Sequence, residues 1–325
     1  MSADGTRERA EVCSHGRVGA CEMCRLVQRG FDVEGVRKAL EHRKGAMAER
    51  ARKSLERLRS EALHGDIQEA LDWIWEDPGR EAGMLLGGDF ADEQGRTRDR
   101  KVVSLAIPDL LEDKPHLWGL CAKIVGNKPE VHRELLIHSR IQEAIDKASS
   151  SRLRIPRLIG IKPLGTDSHL AVIMEALPSG PDDQSLQRFV EGTKRRLIVP
   201  KISEEVTAAI NSAFAQLHKL GFRHGDINDG NVYLTNMVIK TYEQERPSLW
   251  RGVWPSRIRM VTAADVVLLD FERTSAFPAS NPDKVLLRAE MDEVRRMTDE
   301  VEFPDLEDLT EEELIATMRD RYKAA

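Results

Sequence analysis

The stretch HGDINDGNVYL, residues 224–234, contains the features from which the fold of this chain can be predicted. It collects a His, two Asp, two Asn and two Gly before it runs into the strand-like Val-Tyr-Leu. A hairpin turn explains Asn, Asp and Gly at such a place. It does not explain why the next strand-like run, VVLLDF at 266–271, also has an Asp near its end. The two stretches together indicate a polar site built at strand ends.

The composition is that of an ordinary globular protein. The 325 residues are enough for one large domain or two modest ones, and 41% of them are hydrophobic. A net charge of −6 argues against general nucleic-acid binding. No apolar stretch is long enough to span a membrane, and the polar start MSADGTRERAE does not resemble a secretory signal. Four Cys without an export signal predict reduced thiols, and hence a soluble protein of the cytoplasm or nucleus.

Hydrophobic periodicity divides the chain into helical and strand-like regions. Residues 33–75 have a helical pattern, with a second helix predicted to begin at the N-cap candidate Asp66. The basic side chains of the first helix, between residues 37 and 60, are interpreted as a solvated face rather than a polyanion site. Helices are also predicted after Pro129, over 201–220 and in the acidic last 50 residues. Strands are predicted at 102–107, 120–125, 155–161 and 170–177.

The order of these parts suits phosphoryl transfer, whose barrier is mainly one of position and electrostatics. A Lys at the centre of a strand can fix phosphates if a helical carboxylate holds it. An Asp in a tight loop can accept the proton of a hydroxyl group. An Asn five residues later and an Asp at a strand end can bind Mg²⁺ through oxygen atoms.

At these positions the chain resembles the protein-kinase-like superfamily. His224, Asp226 and Asn231 match H-x-D-x-x-x-x-N, Asp270-Phe271 matches the start of D-F-G, and Lys123 in CAKIV matches the Lys of V-A-I-K. The resemblance covers residues 100–295 and implies an α+β, two-lobed protein-kinase-like fold with a helical N-terminal extension. The structural alternatives are that Asp226, Asn231 and Asp270 only stabilise turns, and that Lys123 only protects a strand edge against aggregation.

The resemblance also implies the roles of individual residues. Lys123 positions the phosphates of ATP, and Glu134 holds the lysine, with Glu130 as the alternative. Asp226 acts as the base, while Asn231 and Asp270 bind Mg²⁺. The resemblance also implies a hinge that contacts the nucleotide. Met174 is its gatekeeper, and the backbone from Glu175 to Leu177 meets the adenine. His224 braces the loop and transfers no proton.

Several departures point away from protein kinases that act on peptides. Asn228 stands where a Lys is usual, Glu272 replaces the Gly of D-F-G, and HGD replaces HRD. These features are similar to those of choline-kinase-like and aminoglycoside-phosphotransferase-like proteins. No G-x-G-x-x-G precedes Lys123, and no A-P-E follows Asp270. The chain resembles the short, divergent kinase-like proteins of filamentous fungi more than it resembles any well-studied enzyme, and generic peptides are expected to be poor acceptors.

A cysteine cluster near the start suggests a metal site. Its ligand pattern, C-x-H-x₅-C-x₂-C, consists of Cys13, His15, Cys21 and Cys24. Thiolates and imidazole are the preferred ligands of structural Zn²⁺. Free thiols in a disordered tail are the alternative. Cys121, in the strand of Lys123, is predicted to be a buried core residue.

The sequence therefore predicts four regions and two candidate functions. Residues 1–30 form a zinc knuckle or a disordered tail, 31–80 a helical extension, 81–177 an N-lobe with hinge, and 178–325 a short C-lobe. The favoured function is transfer of the ATP γ-phosphate to a hydroxyl acceptor, protein or small molecule. The alternative is a pseudokinase that binds a nucleotide or partner, with helices 33–76 and the acidic tail as docking surfaces. Neither nucleic acid nor membrane is an expected partner.

Overall fold

The computed structural model describes residues 22–41, 43–75, 85–88, 101–148, 152–164, 169–196, 198–243, 257–277 and 283–299. The chain divides into two compact units. The first unit comprises residues 1–136 and 157–176, and the second comprises residues 137–156 and 177–325. The chain therefore passes from the first unit into the second for the last time after Ala176, near the end of the predicted strand 170–177.

The first unit contains a five-stranded antiparallel sheet in the order β1-β2-β3-β5-β4. The strands are β1 (Leu85–Gly88), β2 (Lys101–Ser104), β3 (Leu120–Gly126), β4 (Leu158–Leu164) and β5 (His169–Glu175). All four predicted strands are present, with ends shifted by a few residues. Side chains alternate between the two faces of a strand, and the alternation of β5 is visible in its burial: Ala171 and Ile173 belong to one core cluster, Leu170 and Val172 to another.

In the described part of the chain, four helices precede the sheet: α1 (Glu22–Gln28), α2 (Val33–Glu41), α3 (Ala46–Leu55) and α4 (Ser60–Trp75). The predicted helical region is broken at Gly45, whose φ of +99° favours glycine. Helices α2 to α4 share a core with the sheet, in which Leu40, Leu55 and Leu71 are almost fully buried beside Leu120. Burying each such side chain contributes about 1.5–3 kcal/mol.

Two predictions for these helices are changed by their packing. Asp66 is not an N-cap, because α4 begins six residues earlier, at Ser60. Its carboxylate instead lies 3.1 Å from His116 Nε2. The basic residues are partly structural, since Arg52 Nη1 donates to the carbonyl oxygens of Leu40 and Arg43 at 2.9 and 3.0 Å. Arg52 thus satisfies carbonyls at the end of α2 that have no partner within the helix.

Two helices connect the strands of the first unit: the short α5 (Pro108–Leu111) and the long α6 (Pro129–Lys147). Pro129 opens α6, as predicted from its place before an apolar run. Val131 and Leu135 of α6 pack with Val125 of β3 in the second core cluster of this unit. Helix α6 therefore covers the sheet face to which odd-numbered residues of β3 point.

The second unit combines helices with a four-stranded sheet in the order β6-β9-β10-β7 and a two-stranded pair, β8 and β11. Its strands are β6 (Gln184–Ser185), β7 (Val199–Ile202), β8 (Phe222–Arg223), β9 (Val232–Glu243), β10 (Arg257–Leu268) and β11 (Ser275–Ala276). Its helices are the last part of α6, then α7 (Leu186–Lys194), α8 (Glu204–Lys219) and α9 (Lys284–Asp299). One core cluster joins α8 to the sheet, with Phe214, Val232 and Leu268 fully buried.

Helix α8 shows how local sequence sets the position of the 224–231 loop. The Ser203 hydroxyl accepts from Val206 N at 3.3 Å and caps its start. Its other end is followed by Gly221 with a φ of +89°, the left-handed conformation that glycine adopts after a helix. The chain then turns through β8 directly into His224. A mixed α+β fold with a helical N-terminal extension is confirmed, and none of the helices described is both long and apolar enough to cross a lipid bilayer.

Candidate active site

Lys123 and Glu134 form a close ion pair within the first unit. Lys123 lies at the centre of β3 and points to the same face as Val125, which is covered by α6. Its Nζ is 2.6 Å from Glu134 Oε1, and the side chains are only 18% and 7% exposed. Glu130, one turn earlier, is exposed. The structure therefore brings Lys123 to Glu134 and not to the alternative Glu130.

The predicted hinge residues Met174 and Glu175 end strand β5, opposite Cys121 and Leu120 of β3. The Glu175 side chain is buried, and its Oε2 accepts a hydrogen bond from Arg157 N at 3.3 Å. Its carboxylate therefore points into the protein, and its backbone N donates to Arg157 O at 2.8 Å. Leu177 is the first residue of the second unit and is half-buried.

A residue that the sequence did not indicate holds the chain at the end of β5. Arg43 follows α2, is buried, and its guanidinium donates a hydrogen bond to the carbonyl of Ala176. The guanidinium also lies over the Trp118 ring, 4.6 Å from its centroid. Ala176 N in turn donates to Gly119 O at 2.9 Å. The N-terminal extension is thus hydrogen-bonded directly to the predicted hinge.

In the second unit, Asp226 and Asn231 are joined by hydrogen bonds. Asn231 Nδ2 donates to the Asp226 backbone oxygen at 3.0 Å and to its carboxylate Oδ2 at 3.2 Å. Asn228 shapes the turn between them, because its Oδ1 accepts from Asn231 N at 3.1 Å. This side-chain turn is typical of Asn and creates the 3-10 turn Asp229–Asn231. The five-residue spacing therefore closes a compact loop.

Asp270 lies next to this loop because the backbone ties the two together. Leu269 N donates to Asn231 O at 2.9 Å, directly before Asp270. Asp270 has a φ of +54°, an uncommon conformation for a residue with a side chain, although Asp tolerates it better than most. Its Oδ1 accepts from Glu272 N at 3.3 Å, which stabilises that turn. The second unit thus brings together all three predicted residues, Asp226, Asn231 and Asp270.

His224 supports this arrangement from inside the core. Its Nε2 donates to Leu269 O at 2.8 Å, and its ring contacts Phe214 and Phe271 with centroids 5.6 and 5.5 Å apart. Burial lowers the pKa of His224, in spite of the hydrogen bond to Leu269 and the charges of Glu290, Asp270 and Asp226, which raise it. The imidazole is therefore neutral at pH 7 and serves as a structural donor.

Glu290 of α9 is the most important residue that sequence reasoning missed. Its side chain is fully buried, and it accepts from His224 N at 2.9 Å and Gly225 N at 3.1 Å. His218 Nε2 and Arg223 Nε each lie 3.0 Å from the same carboxylate. Burial raises the pKa of Glu290, but the hydrogen bonds from its neighbours outweigh it and bring the pKa below its usual value. An ionised carboxylate thus fixes the backbone at the start of the loop.

Arg273 and Gly225 explain why the loop begins HGD. Arg273 Nη1 is 3.4 Å from Asp226 Oδ1, so the carboxylate has a cation beside it. Gly225 has a φ of +78°, and a Cβ there would lie 2.5 Å from Arg273 O. A residue with a side chain, such as the Arg of HRD, does not fit this backbone. The departure from HRD is therefore a consequence of close packing between the two loops.

The donor atoms on this side of the second unit fit a hard divalent cation. The hydrogen bonds of Asn231 Nδ2 orient the amide so that Oδ1 accepts no hydrogen bond from the residues that the structure describes. Asp270 contributes a carboxylate, and oxygen donors of these two kinds suit Mg²⁺. No group of three or more His, Cys, Asp or Glu side chains that could hold a metal occurs among the described residues. A cation here would therefore need oxygen atoms from a bound phosphate or water as well.

The predicted zinc cluster is only partly covered by the structure. Cys24 is half-buried in α1, whereas Cys13, His15 and Cys21 lie outside the described residues. Zinc binding stays a prediction. Cys121, by contrast, is buried as predicted, and desolvation raises the pKa of its thiol to about 12. It is a core residue without thiolate character.

No family model matches the chain, and no curated protein matches it. Among solved structures, the chain is similar to WaaP in complex with acyl carrier protein, at 13% identity and a TM-score of 0.37, over 77% of this chain and 83% of that one. It is also similar to WbdD in a co-crystal structure with the kinase inhibitor LY294002, at 13% identity and a TM-score of 0.33, over 68% and 48% of the two chains. The BubR1 kinase domain matches at 17% identity and a TM-score of 0.33, over 50% and 41%. TM-scores this low mark distant likenesses, so the chemistry has to be argued from the residues of this chain.

Proposed function

We propose that this chain is a Mg²⁺-ATP-dependent phosphotransferase that acts on a hydroxyl group. The observation that carries the proposal is the hydrogen-bonded set of Asp226 and Asn231, with Asp270 placed next to it by the Leu269–Asn231 backbone bond. A turn needs no such convergence of two carboxylates and an amide oxygen. Phosphoryl transfer does, because it depends on positioned oxygen ligands and a proton acceptor.

In this proposal Asp226 accepts the proton of the acceptor. The hydroxyl oxygen bonds to the γ-phosphorus, the bond from that phosphorus to the β–γ bridging oxygen breaks, and ADP leaves with the bridging oxygen. The hydroxyl proton passes to the Asp226 carboxylate, which Asn231 Nδ2 orients. Arg273 Nη1 lies 3.4 Å from Oδ1 of the same carboxylate and places a positive charge beside it.

The metal and phosphate contacts come from three other residues. Asn231 and Asp270 would hold Mg²⁺, which supplies neutralisation of the phosphate charge when bound. Lys123 would bind the α- and β-phosphates, and its pairing with Glu134 at 2.6 Å keeps the ammonium at a fixed place on β3. Backbone atoms of Glu175 and Leu177, with Met174 beside them, would meet the adenine.

A pseudokinase is the second candidate, and the sequence before Lys123 favours it. No G-x-G-x-x-G occurs there, and the pair Gly87-Gly88 at the end of β1 is followed by residues outside the described part of the chain. A chain without a phosphate-covering loop could still bind a nucleotide without turning it over.

Two substitutions separate these possibilities in a thermal-shift titration with ATP and Mg²⁺, paired with ATP turnover. Asp226→Asn should leave the magnesium-dependent shift nearly intact and cut turnover by roughly 10²-fold or more, the usual effect of losing a general base. Asp270→Asn should reduce the shift itself, since ligand binding stabilises by mass action. A wild-type shift without turnover, with small alcohols also tried, would favour the pseudokinase. Turnover that survives Asp226→Asn would mean that the base is a different residue.

A further inference from the structure

A pocket of about 420 Å³ lies in the second unit directly beside Asp226 along the chain. One wall is the loop segment Ile227 to Asp229, the second is helix α7, and the third is helix α9. Its volume is within the range of pockets that hold small molecules. Because the lining begins at the residue after Asp226, an occupant of this pocket lies close to the proposed base. It is called the loop pocket here.

The walls of the loop pocket are fixed relative to Asp226. Helix α9 is held to the loop by Glu290, which accepts from the backbone of His224 and Gly225. Helix α7 directly follows strand β6, and β6 pairs through Ser185 with Tyr233 of β9, the strand that begins right after the loop. Asn228 is bonded into its own turn. A group bound in the pocket would therefore be held at a defined distance from the Asp226 carboxylate, which is what a positioned acceptor requires.

The lining is charged with both signs above an apolar floor. Lys194 and Arg296 supply positive charge, Asp229 and Glu293 supply negative charge. Val190 and Met297 are buried and form the floor together with the half-buried Ile227. Arg296 and Glu293 make no ion pair or hydrogen bond with any residue in the part of the chain that the structure describes. The neighbouring Arg295, in contrast, is paired with Asp292 at 3.3 Å.

Asp229 and Lys194 are the half-buried charges of the lining. Desolvation raises the pKa of the Asp229 carboxyl group and the negative charge of Glu191 raises it further, while hydrogen bonds from the backbone N–H groups of Asp229 and Gly230 and the charge of Lys194 lower it. A cationic group placed next to Asp229 would offset that desolvation, because it favours the ionised carboxylate. Arg296, on the wall formed by helix α9, offers a guanidinium suited to a carboxylate or phosphate group.

We propose that the loop pocket binds the part of the acceptor that is not phosphorylated, and that this acceptor is a small zwitterion with one cationic and one anionic group. This inference rests on the proposed function, since it assigns the acceptor of the same site. A neutral polyol would offer no charge to either Asp229 or Arg296. A molecule with only a cationic or only an anionic group would interact favourably with just one of these two side chains, and would therefore bind less tightly than a zwitterion.

The test uses four hexoses that share one ring and differ in charge: glucose, glucosamine, glucuronate and muramic acid, the last of which is zwitterionic. Binding to the full chain is measured by calorimetry, with and without Mg²⁺ and a non-hydrolysable ATP analogue. We expect muramic acid to bind at least about tenfold more tightly than glucose, equivalent to about 1.4 kcal/mol. The two singly charged sugars should lie between them.

One substitution on the α9 wall and one on the loop wall should separately remove the preference for the anionic group and the preference for the cationic group. Arg296→Gln should lower the affinity for the carboxylate-bearing sugars and leave glucosamine unaffected. Asp229→Asn should lower the affinity for the amine-bearing sugars and leave glucuronate unaffected. Matched controls on α9 are Arg295→Gln and Asp292→Asn, whose side chains pair with each other outside the pocket. These controls should change none of the four affinities.

The outcomes distinguish this inference from the proposed function. Equal binding of all four sugars, no binding of any, or loss of affinity in the control variants to the same extent as in the pocket variants would overturn the zwitterion assignment. Such a result together with a magnesium-dependent ATP shift would leave the phosphotransferase proposal standing. Charge-selective sugar binding without any ATP shift would instead support the pocket and contradict the kinase chemistry.

Discussion

The ammonium of Lys123 and the carboxylate of Glu134 lie 2.6 Å apart, between the central strand of the first sheet and the helix that covers it. Both side chains are largely removed from solvent, so each charge depends on the other. Breaking a buried pair by removing one partner costs more than the pair contributes, because the remaining charge is left uncompensated. This makes the pair a sensitive point of the fold as well as of the proposed nucleotide site.

Glu134→Gln is expected to weaken Mg²⁺-ATP binding about as much as Lys123→Met, since the lysine without its partner is no longer held in place. The matched control is Glu130→Gln, one turn earlier on α6 and exposed. Nucleotide affinity by calorimetry, with the double variant included, measures the coupling between the two residues. Additive effects of the two substitutions would show that the ion pair has no part in nucleotide binding.

Glu290→Gln is expected to destabilise the protein by about 1–3 kcal/mol, because a buried carboxylate that accepts several hydrogen bonds is replaced by a group with only one acceptor oxygen. The sign of the pH dependence follows from the lowered pKa of Glu290. Its contribution is fully present above the unfolded-state value of about 4.5 and is lost as the pH falls through the lower folded-state value.

The stability difference between wild type and Glu290→Gln should therefore be constant near neutral pH and narrow below about pH 4.5. Urea unfolding at a series of pH values measures it. Glu293→Gln, three residues along the same helix and exposed, is the control and should show no such dependence. A constant difference down to strongly acidic pH would contradict the lowered pKa.

Gly225→Ala is expected to destabilise the protein by more than about 1 kcal/mol and to reduce turnover. The new Cβ would lie only 2.5 Å from Arg273 O, and the φ of +78° is unfavourable for alanine. The control is Gly192→Ala in α7, where a Cβ meets no atom within 4 Å. That change should stabilise by about 0.5–1 kcal/mol, the usual preference for alanine inside a helix. Denaturant unfolding of both variants decides the matter, and a harmless Gly225→Ala would mean that the loop backbone can relax.

Arg43→Ala is expected to lower stability by about 1–3 kcal/mol, because it leaves the buried carbonyl of Ala176 without this donor and removes the stacking on Trp118. Since Ala176 lies within the predicted hinge, ATP affinity should fall as well. Lys44→Ala, the exposed neighbouring residue, is the control. Loss of stability with unchanged ATP affinity at a temperature where the variant remains folded would show that Arg43 has no role in positioning the hinge.

Zinc binding by Cys13, His15, Cys21 and Cys24 can be checked by metal analysis of protein purified without a histidine tag. We expect one zinc ion per chain, lost in the double variant Cys21→Ser with Cys24→Ser, because a tetrahedral site needs all four ligands. Cys121→Ser is the control, since its thiol is buried and does not belong to the C-x-H-x₅-C-x₂-C pattern. An unchanged zinc content in the double variant would show that the cluster is not a metal site.

The sequence by itself was enough to identify the site residues that are defined by their spacing along the chain. The five-residue interval from Asp226 to Asn231 is closed by a turn that Asn228 makes with its own side chain, so a short stretch of chain contains its own geometry. The position of Lys123 on a strand and of Glu134 on the next helix followed from alternation and periodicity. The choice of Glu134 over Glu130 was an expectation, and the packing of α6 on β3 places Glu134 at the lysine.

Only the tertiary structure decided which distant residues support the site. Glu290 bonds the loop from 65 residues away, and Arg43 bonds the hinge across 133 residues. In the sequence, each is one charged residue among many in or next to an amphipathic helix, with no local pattern to distinguish it. Their roles arise from the way helices pack onto strands, which buries a few charges and leaves the rest in water. The free-energy cost of burying such a charge is offset by hydrogen bonds with neighbouring backbone groups. The fold, and not the local sequence, determines which backbone groups those are.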